Sequence, residues 1–285
     1  MTKTQKIIKY CAIALAILII ATVVGGVIRL ITFLLNGADE KELLQEPIEL
    51  TIEQDGSELD SLRIDLSATK LTVCRGDALK IVTNDPSIIA VLEEGELSLE
   101  EPNRKTSFSL IQIGSKNSKV GELTLTLPEV LFEKLELSAG VGEVQIDILA
   151  AKQAKLDCGV GNVVIDSLSI TESGEIDCGV GDLTVRSGAL HGLLLDVGIG
   201  ETKISAVLTG KTEIDIGIGN TELTVRGRAE DYSVTLEKGI GNAKIDGERA
   251  QDGQTYGDGD HRILIDGGIG SIDLEFIEDE DENRE

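Results

Sequence analysis

Three features of this 285-residue chain carry side chains or backbone able to do chemistry. The first is a glycine turn, LDCGVGNVVIDSL at residues 156–168, of the kind that cradles phosphate when it opens a helix. The second is a set of acids placed two residues before such turns, oxygen ligands suited to a hard cation such as Ca²⁺. The third is a small group of soft or titratable side chains: Cys158, Cys178, Cys74 and Cys11, with His191 and His261 the only histidines.

The phosphate reading fails on context. A dinucleotide fingerprint needs a third glycine, a following helix and a single βαβ unit. Here the residues after each turn alternate as in a strand, and the turn recurs. A catalytic glycine loop is needed once, so repetition points to architecture. Neither histidine stands near a Ser or Cys signature such as GxSxG. No CxxC occurs, so zinc is not expected. Cys158 and Cys178 fall in one column of the repeat with Ala139, Val197 and Ile216, and read as two buried small hydrophobes. Stacking distance permits a disulfide between them, but in-register parallel neighbours rarely orient for one.

Aligned on the turn, seven copies emerge: SAGVGEVQID, DCGVGNVVID, DCGVGDLTVR, DVGIGETKIS, DIGIGNTELT, EKGIGNAKID and DGGIGSIDLE. Their glycine pairs are Gly140 and Gly142, Gly159 and Gly161, Gly179 and Gly181, Gly198 and Gly200, Gly217 and Gly219, Gly239 and Gly241, and Gly268 and Gly270. The first glycines are separated by 19, 20, 19, 19, 22 and 29 residues. A period near 20 with alternating apolar positions marks a stacked β-solenoid, each turn being a corner of one coil. The glycines allow a backbone with φ > 0 and let successive coils stack at ~4.8 Å. Between them stands only Val or Ile (Val141, Val160, Val180, Ile199, Ile218, Ile240, Ile269), a column expected to plug the corner. Ile146, Ile165, Val185, Ile204, Leu223, Ile245 and Leu274 form an inward column.

The acids form their own column: Asp157, Asp177, Asp196, Asp215, Glu237 and Asp266, with Ser138 in the first copy. Carboxylates stacked ~5 Å apart repel one another, so something must offset the cost. One account has each acid accept hydrogen bonds from the amides of its own turn. The other has the column share Ca²⁺ or another cation. Turn chemistry favours the first, and no metal or cofactor is expected. The loop 248–262 adds Asp252, Asp258 and Asp260 without EF-hand spacing and reads as a structural excursion before the last coil.

Composition agrees with a sheet protein. The chain has no Trp, three Tyr and four Phe, so the core must be Val, Ile and Leu, which suit pleated sheet. Residues 1–36 hold Lys3, Lys6, Lys9 and Arg29 and no acid; the other 249 residues carry 22 basic and 51 acidic side chains, a net of −29. Such a surface repels nucleic acid and attracts cations or basic partners. Residues 7–28, IIKYCAIALAILIIATVVGGVI, span ~33 Å as a helix, enough for a bilayer core. The run is too long for a cleaved signal, and the lysines keep its start cytoplasmic. The segments are therefore a cytoplasmic start and signal anchor at 1–36, a linker at 37–49, a solenoid at 50–276 (an N-terminal cap at 50–134, GxG coils at 135–276), and an acidic tail at 277–285. The expected fold is an all-β, single-stranded parallel β-helix preceded by one transmembrane helix.

The stretch GELTLTLPEVLFEKLELSAGVGEVQI at 121–146, the ordered GxG coils, and YGDGDHRILIDGGIGSIDLEF at 256–276 resemble the bacterial toastrack family, over roughly residues 50–276. These are β-strand-repeat domains of unknown function. The resemblance implies a single-stranded parallel β-helix, often held outside the membrane of Gram-positive bacteria. Relatives sit beside cell-envelope stress regulators, among them the anchored accessory protein of Lia-type operons. The family supplies no accepted catalytic residues, so none carries over to this chain.

The function expected is a non-enzymatic, single-pass scaffold at the cell membrane whose extracytoplasmic domain presents a rigid acidic face to a protein partner, in a role in envelope-stress sensing. The alternatives are a surface adhesin and, from another class, a cation-dependent polysaccharide-acting enzyme. The last is disfavoured because sugar binders offer aromatic platforms that this chain nearly lacks. A small-molecule substrate is not expected.

Overall fold

The computed structural model describes residues 46–52, 58–102 and 121–278, all within one of the two units into which the chain divides. The expected anchor at residues 7–28, most of the linker at 37–49 and most of the tail at 277–285 lie outside the described residues. Among the described residues, no helix is long and apolar enough to cross a membrane.

The first strands are β1 (Ile48–Leu50), β2 (Ser61–Leu66), β3 (Thr69–Arg75), β4 (Lys80–Thr83), β5 (Ile89–Glu93), β6 (Glu96–Glu100) and β7 (Gly121–Leu127). The coils follow as β8 (Leu131–Val141), β9 (Val144–Val160), β10 (Val163–Val180), β11 (Leu183–Val185), β12 (Gly188–His191), β13 (Leu193–Thr209) and β14 (Lys211–Arg226). The chain ends with β15 (Tyr232–Ile245), β16 (Glu248–Arg249), β17 (Gln254–Tyr256) and β18 (His261–Ile277). A single 3₁₀ turn, Ala229–Asp231, interrupts the strands among the described residues.

Coils pair in parallel and in register. β9 lies between β8 and β10, and β10 between β9 and β13. The inward residues of β9 are Val144, Ile146, Leu149, Ala151, Ala154, Leu156 and Cys158. In a strand these would keep one parity. Here the parity changes between Ile146 and Leu149 and again between Ala151 and Ala154. The strand therefore bends twice while it stays bonded to its neighbours. The interior is almost wholly aliphatic, with Phe132 and Tyr232 its buried aromatics. Ile146, Ile165, Val185, Ile204, Leu223 and Leu274 are buried as one column, and Ile245 packs half-buried against the core.

The glycine corner has a steric cause. A Cβ at Gly181 would stand 1.8 Å from the carbonyl oxygen of Gly161 in the coil below, and φ there is 143°. A Cβ at Gly179 would stand 2.4 Å from the oxygen of Gly159. The expected positive φ holds for the second glycine of a turn such as this one, but not for the first. At Gly179 close approach of the neighbouring backbone is the constraint. The Val/Ile column departs from expectation at its far end, where Ile269 is 36 % and Ile240 57 % exposed; Val141, Val160, Val180, Ile199 and Ile218 are half-buried.

An eighth corner carries no glycine. Ser67, Ala68 and Thr69 join β2 to β3, and Gly140 and Gly142 approach their backbone from one side. No GxG coil stacks on the other side. Instead the buried carboxylate of Glu101 accepts hydrogen bonds from Ser67 N (2.9 Å), Ala68 N (3.0 Å) and Thr69 Oγ1 (3.0 Å). Beyond this corner the pairing turns antiparallel, β5 on β6 and β4 on β7, which ends the stack.

The far end departs from chain order. β18 does not stack outside β15. It lies between β14 and β15, so the Gly268 corner follows the Gly217 corner and the Gly239 corner comes last. The outer edge of β15 is then covered by antiparallel β16 and β17. The loop 248–262 is thus an edge cover, consistent with the need to blunt an open strand edge.

Candidate functional site: an acidic face

Register places the acids in one row. Ser138, Asp157, Asp177, Asp196, Asp215, Asp266 and Glu237 are successive partners, with the last two exchanged relative to the sequence. Asp65 and Glu100 continue the row beyond Ser138. Two residues earlier on each strand, and on the same outward face, runs a second row: Arg63, Glu136, Lys155, Glu175, Leu194, Glu213, Leu264 and Thr235.

The two rows frame an open concavity of about 480 Å³. Its wall carries seven carboxylates, Glu175, Asp177, Asp196, Glu213, Asp215, Glu237 and Asp266, around Leu194 and Leu264. Leu194 is 48 % exposed, an apolar spot inside a ring of negative charge. Lys155 approaches from one end, 2.6 Å from Glu175, and Lys211 pairs with Glu213.

The charges act on one another. Burial pushes the Asp177 carboxyl above the ordinary range, helped by Glu175 and Asp196. Asp215 is raised by burial and then by Asp196 and Asp266, its neighbours above and below. The hydrogen bond from Lys155 holds Glu175 lower. The face is therefore a stack of carboxylates under mutual repulsion, relieved at one end by lysine.

The expected turn caps lie in a different column. Among the described residues, no hydrogen bond runs from a turn amide to Asp157, Asp177, Asp196, Asp215 or Asp266. The caps come from the residue after the second glycine, and they reach the neighbouring coil. Asp182 accepts from Glu201 N at 2.9 Å, Asn220 from Ser271 N at 3.2 Å, and Asn162 from Asp182 N at 3.4 Å. The signal was present in the sequence as Asn, Asp or Glu after six of the seven GxG turns, with Ser271 after the last. Nor does any group of three or more His, Cys, Asp or Glu among the described residues have an arrangement able to hold a metal ion.

The remaining candidates scatter. His191 Nδ1 lies 3.0 Å from Thr209 Oγ1. His261 accepts the Gly210 amide at 3.3 Å and packs on Tyr232. Cys158 and Cys178 are buried free thiols, and Cys74 is a half-buried one. Burial raises the Cys74 thiol, and the nearby Asp147 adds to the effect.

Fold and face together define a repeat β-solenoid whose chemistry is displayed on an outer sheet surface. The Toastrack DUF4097 family model matches residues 60–265, and the chain belongs to that family. No curated protein matches it in sequence. Among solved structures it is similar to a putative cell adhesion protein from Clostridium sporogenes ATCC 15579, at 18 % identity and a TM-score of 0.34, covering 81 % of this chain and 99 % of that one. A putative adhesin from Bacteroides fragilis NCTC 9343 is 16 % identical with a TM-score of 0.40, over 82 % of this chain and 98 % of the other. A putative lipid binding protein from Parabacteroides distasonis ATCC 8503 is 15 % identical with a TM-score of 0.35, over 80 % and 96 %.

Proposed function

We propose that this protein is a non-enzymatic scaffold, held at the cell membrane by residues 1–36, whose solenoid docks a basic segment of a protein partner on its outer side. The observation that carries this is the concavity of seven carboxylates around Leu194 and Leu264. Such a surface suits a segment that brings lysine or arginine together with an apolar side chain. Charge complementarity sets the encounter rate and the partner's sign, and the exposed Leu194 with the half-buried Leu264 adds apolar contact. A stacked solenoid is a rigid display, so the charges are positioned before the partner arrives. The envelope-stress role rests on the family resemblance and would make the partner a membrane-proximal regulator. An adhesin is the second reading, favoured by the same outward face; its partner would lie on another surface rather than in the same membrane.

A photo-crosslinking residue placed at Leu194, and separately at the exposed Ile148 on a different coil segment, tests the docking claim in intact cells. The account expects protein adducts from position 194 that weaken as salt rises, and none from position 148. Equal labelling from both, or none from 194, would overturn it. Protease added to intact protoplasts tests the topology: residues 37–285 should be degraded, and full protection would contradict an extracytoplasmic domain.

A further inference from the structure

The thiols on the second and third GxG coils play no part in the acidic face. Cys158 and Cys178 are direct register partners on β9 and β10. Their column reads Leu66, Ala139, Cys158, Cys178, Val197 and Ile216 from coil to coil. As far as Ile216 the other rungs are aliphatic, and beyond it stand Gly267 and Lys238. Of the three cysteines among the described residues, two thus fall on adjacent rungs of one column. Packing alone gives no reason for that, since Ala and Val serve the rungs on either side.

We propose that Cys158 and Cys178 are a modification site, a dithiol that closes to a disulfide and fastens two neighbouring coils. Adjacent rungs of a sheet lie ~4.8 Å apart, within the ~4.4–6.8 Å that disulfides span between Cα atoms. Direct register sends both Cβ atoms to the same side. Parallel partners hold their Cβ atoms slightly too far apart for an unstrained bridge, so one backbone must shift by a few tenths of an ångström. Each cysteine is followed by a corner glycine, Gly159 and Gly179, and no side chain there resists the shift. A bridge formed with residual strain is easily reduced, which makes it a switch rather than a permanent staple. The two residues are buried, at 7 % and 8 % exposure, so a small oxidant reaches them when the coil opens locally at its corner.

The chemistry balances with a low-molecular-weight disulfide as oxidant. The Cys178 thiolate attacks one sulfur of the reagent, forming a mixed disulfide and expelling one reagent thiolate. The Cys158 thiol then gives up its proton to that thiolate, and its sulfur attacks the Cys178 sulfur of the mixed disulfide, breaking the bond to the reagent and expelling the second reagent thiolate, which takes up the proton that Cys178 released. Two protein thiols become one disulfide, and one reagent disulfide becomes two thiols. Cys178 is the better attacking group, because the hydrogen bond between the two thiols lowers it, while that same bond and then burial keep Cys158 protonated.

The test treats the full chain, purified in detergent, with 2-hydroxyethyl disulfide, then unfolds it, alkylates free thiols and digests it with trypsin. No Lys or Arg lies between Leu156 and Arg186, so both cysteines leave in one peptide. The expected peptide lacks two hydrogen atoms, takes up no alkylating reagent, and comes from protein with a higher melting midpoint than the reduced form. Cys158→Ala, a residue the column already accepts at position 139, should stop at the mixed disulfide on Cys178 and lose the change in midpoint. Full alkylation of both cysteines in the treated parent, stable mixed disulfides on both, or pairing with Cys74 would each overturn the proposal.

Discussion

The glycine corner and the acidic row repeat with equal regularity, yet their energetics oppose each other. At the corner, stacking itself selects the residue. A Cβ at Gly181 would stand 1.8 Å from the Gly161 oxygen, so any coil placed on another must be glycine there. The eighth corner supplies the control: Ser67, Ala68 and Thr69 carry side chains where the buried Glu101 carboxylate, and no further GxG coil, meets them. The acidic row has no such requirement. Asp157, Asp196 and Asp215 are exposed, and serine or threonine would fit the strand as well. Burial first, and the neighbouring carboxylates after it, raise the carboxyls of Asp177 and Asp215, so holding them charged in the row carries a cost. A costly feature that the fold does not need is the one to assign to binding.

The comparison can be broken first at the corner. Gly181→Val should destabilise the solenoid by about 3 kcal/mol or more, because overpacking against backbone adds to a disfavoured φ. A denaturant titration of the protein would show it. Gly253→Ala, where nothing lies within 4 Å and φ is 68°, should cost only about 1 kcal/mol. Equal effects would mean that stacking does not set the glycine.

The end corner gives a smaller effect. Glu101→Ala leaves two part-buried amides and the buried Thr69 hydroxyl without their acceptor and should cost about 2–3 kcal/mol. Glu101→Gln keeps an accepting oxygen and should cost about 1 kcal/mol. A thermal melt of both variants checks the order; if alanine were tolerated as well as glutamine, the carboxylate would not be what closes the stack.

The acidic row should respond in the opposite direction. Asp215→Asn removes repulsion from Asp196 and Asp266 and should stabilise by roughly 0.2–1 kcal/mol. The sign with pH follows from the raised carboxyls. The folded state binds protons more tightly than the unfolded chain at Asp177 and Asp215, so their contribution falls as pH rises from roughly 4 through the raised values. It is recovered as pH falls through that window. Replacing both by Asn should flatten this part of the stability profile, and a profile unchanged by the double variant would remove the row from the account. Millimolar Ca²⁺ should shift the melting midpoint no more than an ionic-strength-matched salt, since the row offers no chelating cluster; a specific rise lost in Asp196→Asn would establish a cation site.

Much of the coil could be read from the sequence because its rules are local. The corner glycines, the inward column from Ile146 to Leu274 and the register of the acids all follow from one period. What escaped was set by tertiary choice. Insertion of β18 between β14 and β15 leaves the residues of each strand unchanged, so only the longer steps of 22 and 29 residues hinted at it. The Ser67–Thr69 corner was hidden because a corner at the end of a stack loses the clash that marks the others. The caps were assigned to the wrong column because Asp before the turn and Asn or Asp after it are both plausible acceptors, and only the reach to the next coil decides between them. The Val and Ile of the GxG turns looked like core residues by type, but five are only half-buried and Ile240 and Ile269 stand exposed at the far end.

The most direct measurement uses one variant for two readings. Asp196→Asn, Asp215→Asn and Asp266→Asn are combined, and melting midpoint and crosslinking from position 194 in cells are measured together. If the row serves binding and not folding, the triple variant melts at or above the parent temperature and its adducts disappear. A lower midpoint, or adducts formed as before, would contradict the assignment of the acidic face to a partner.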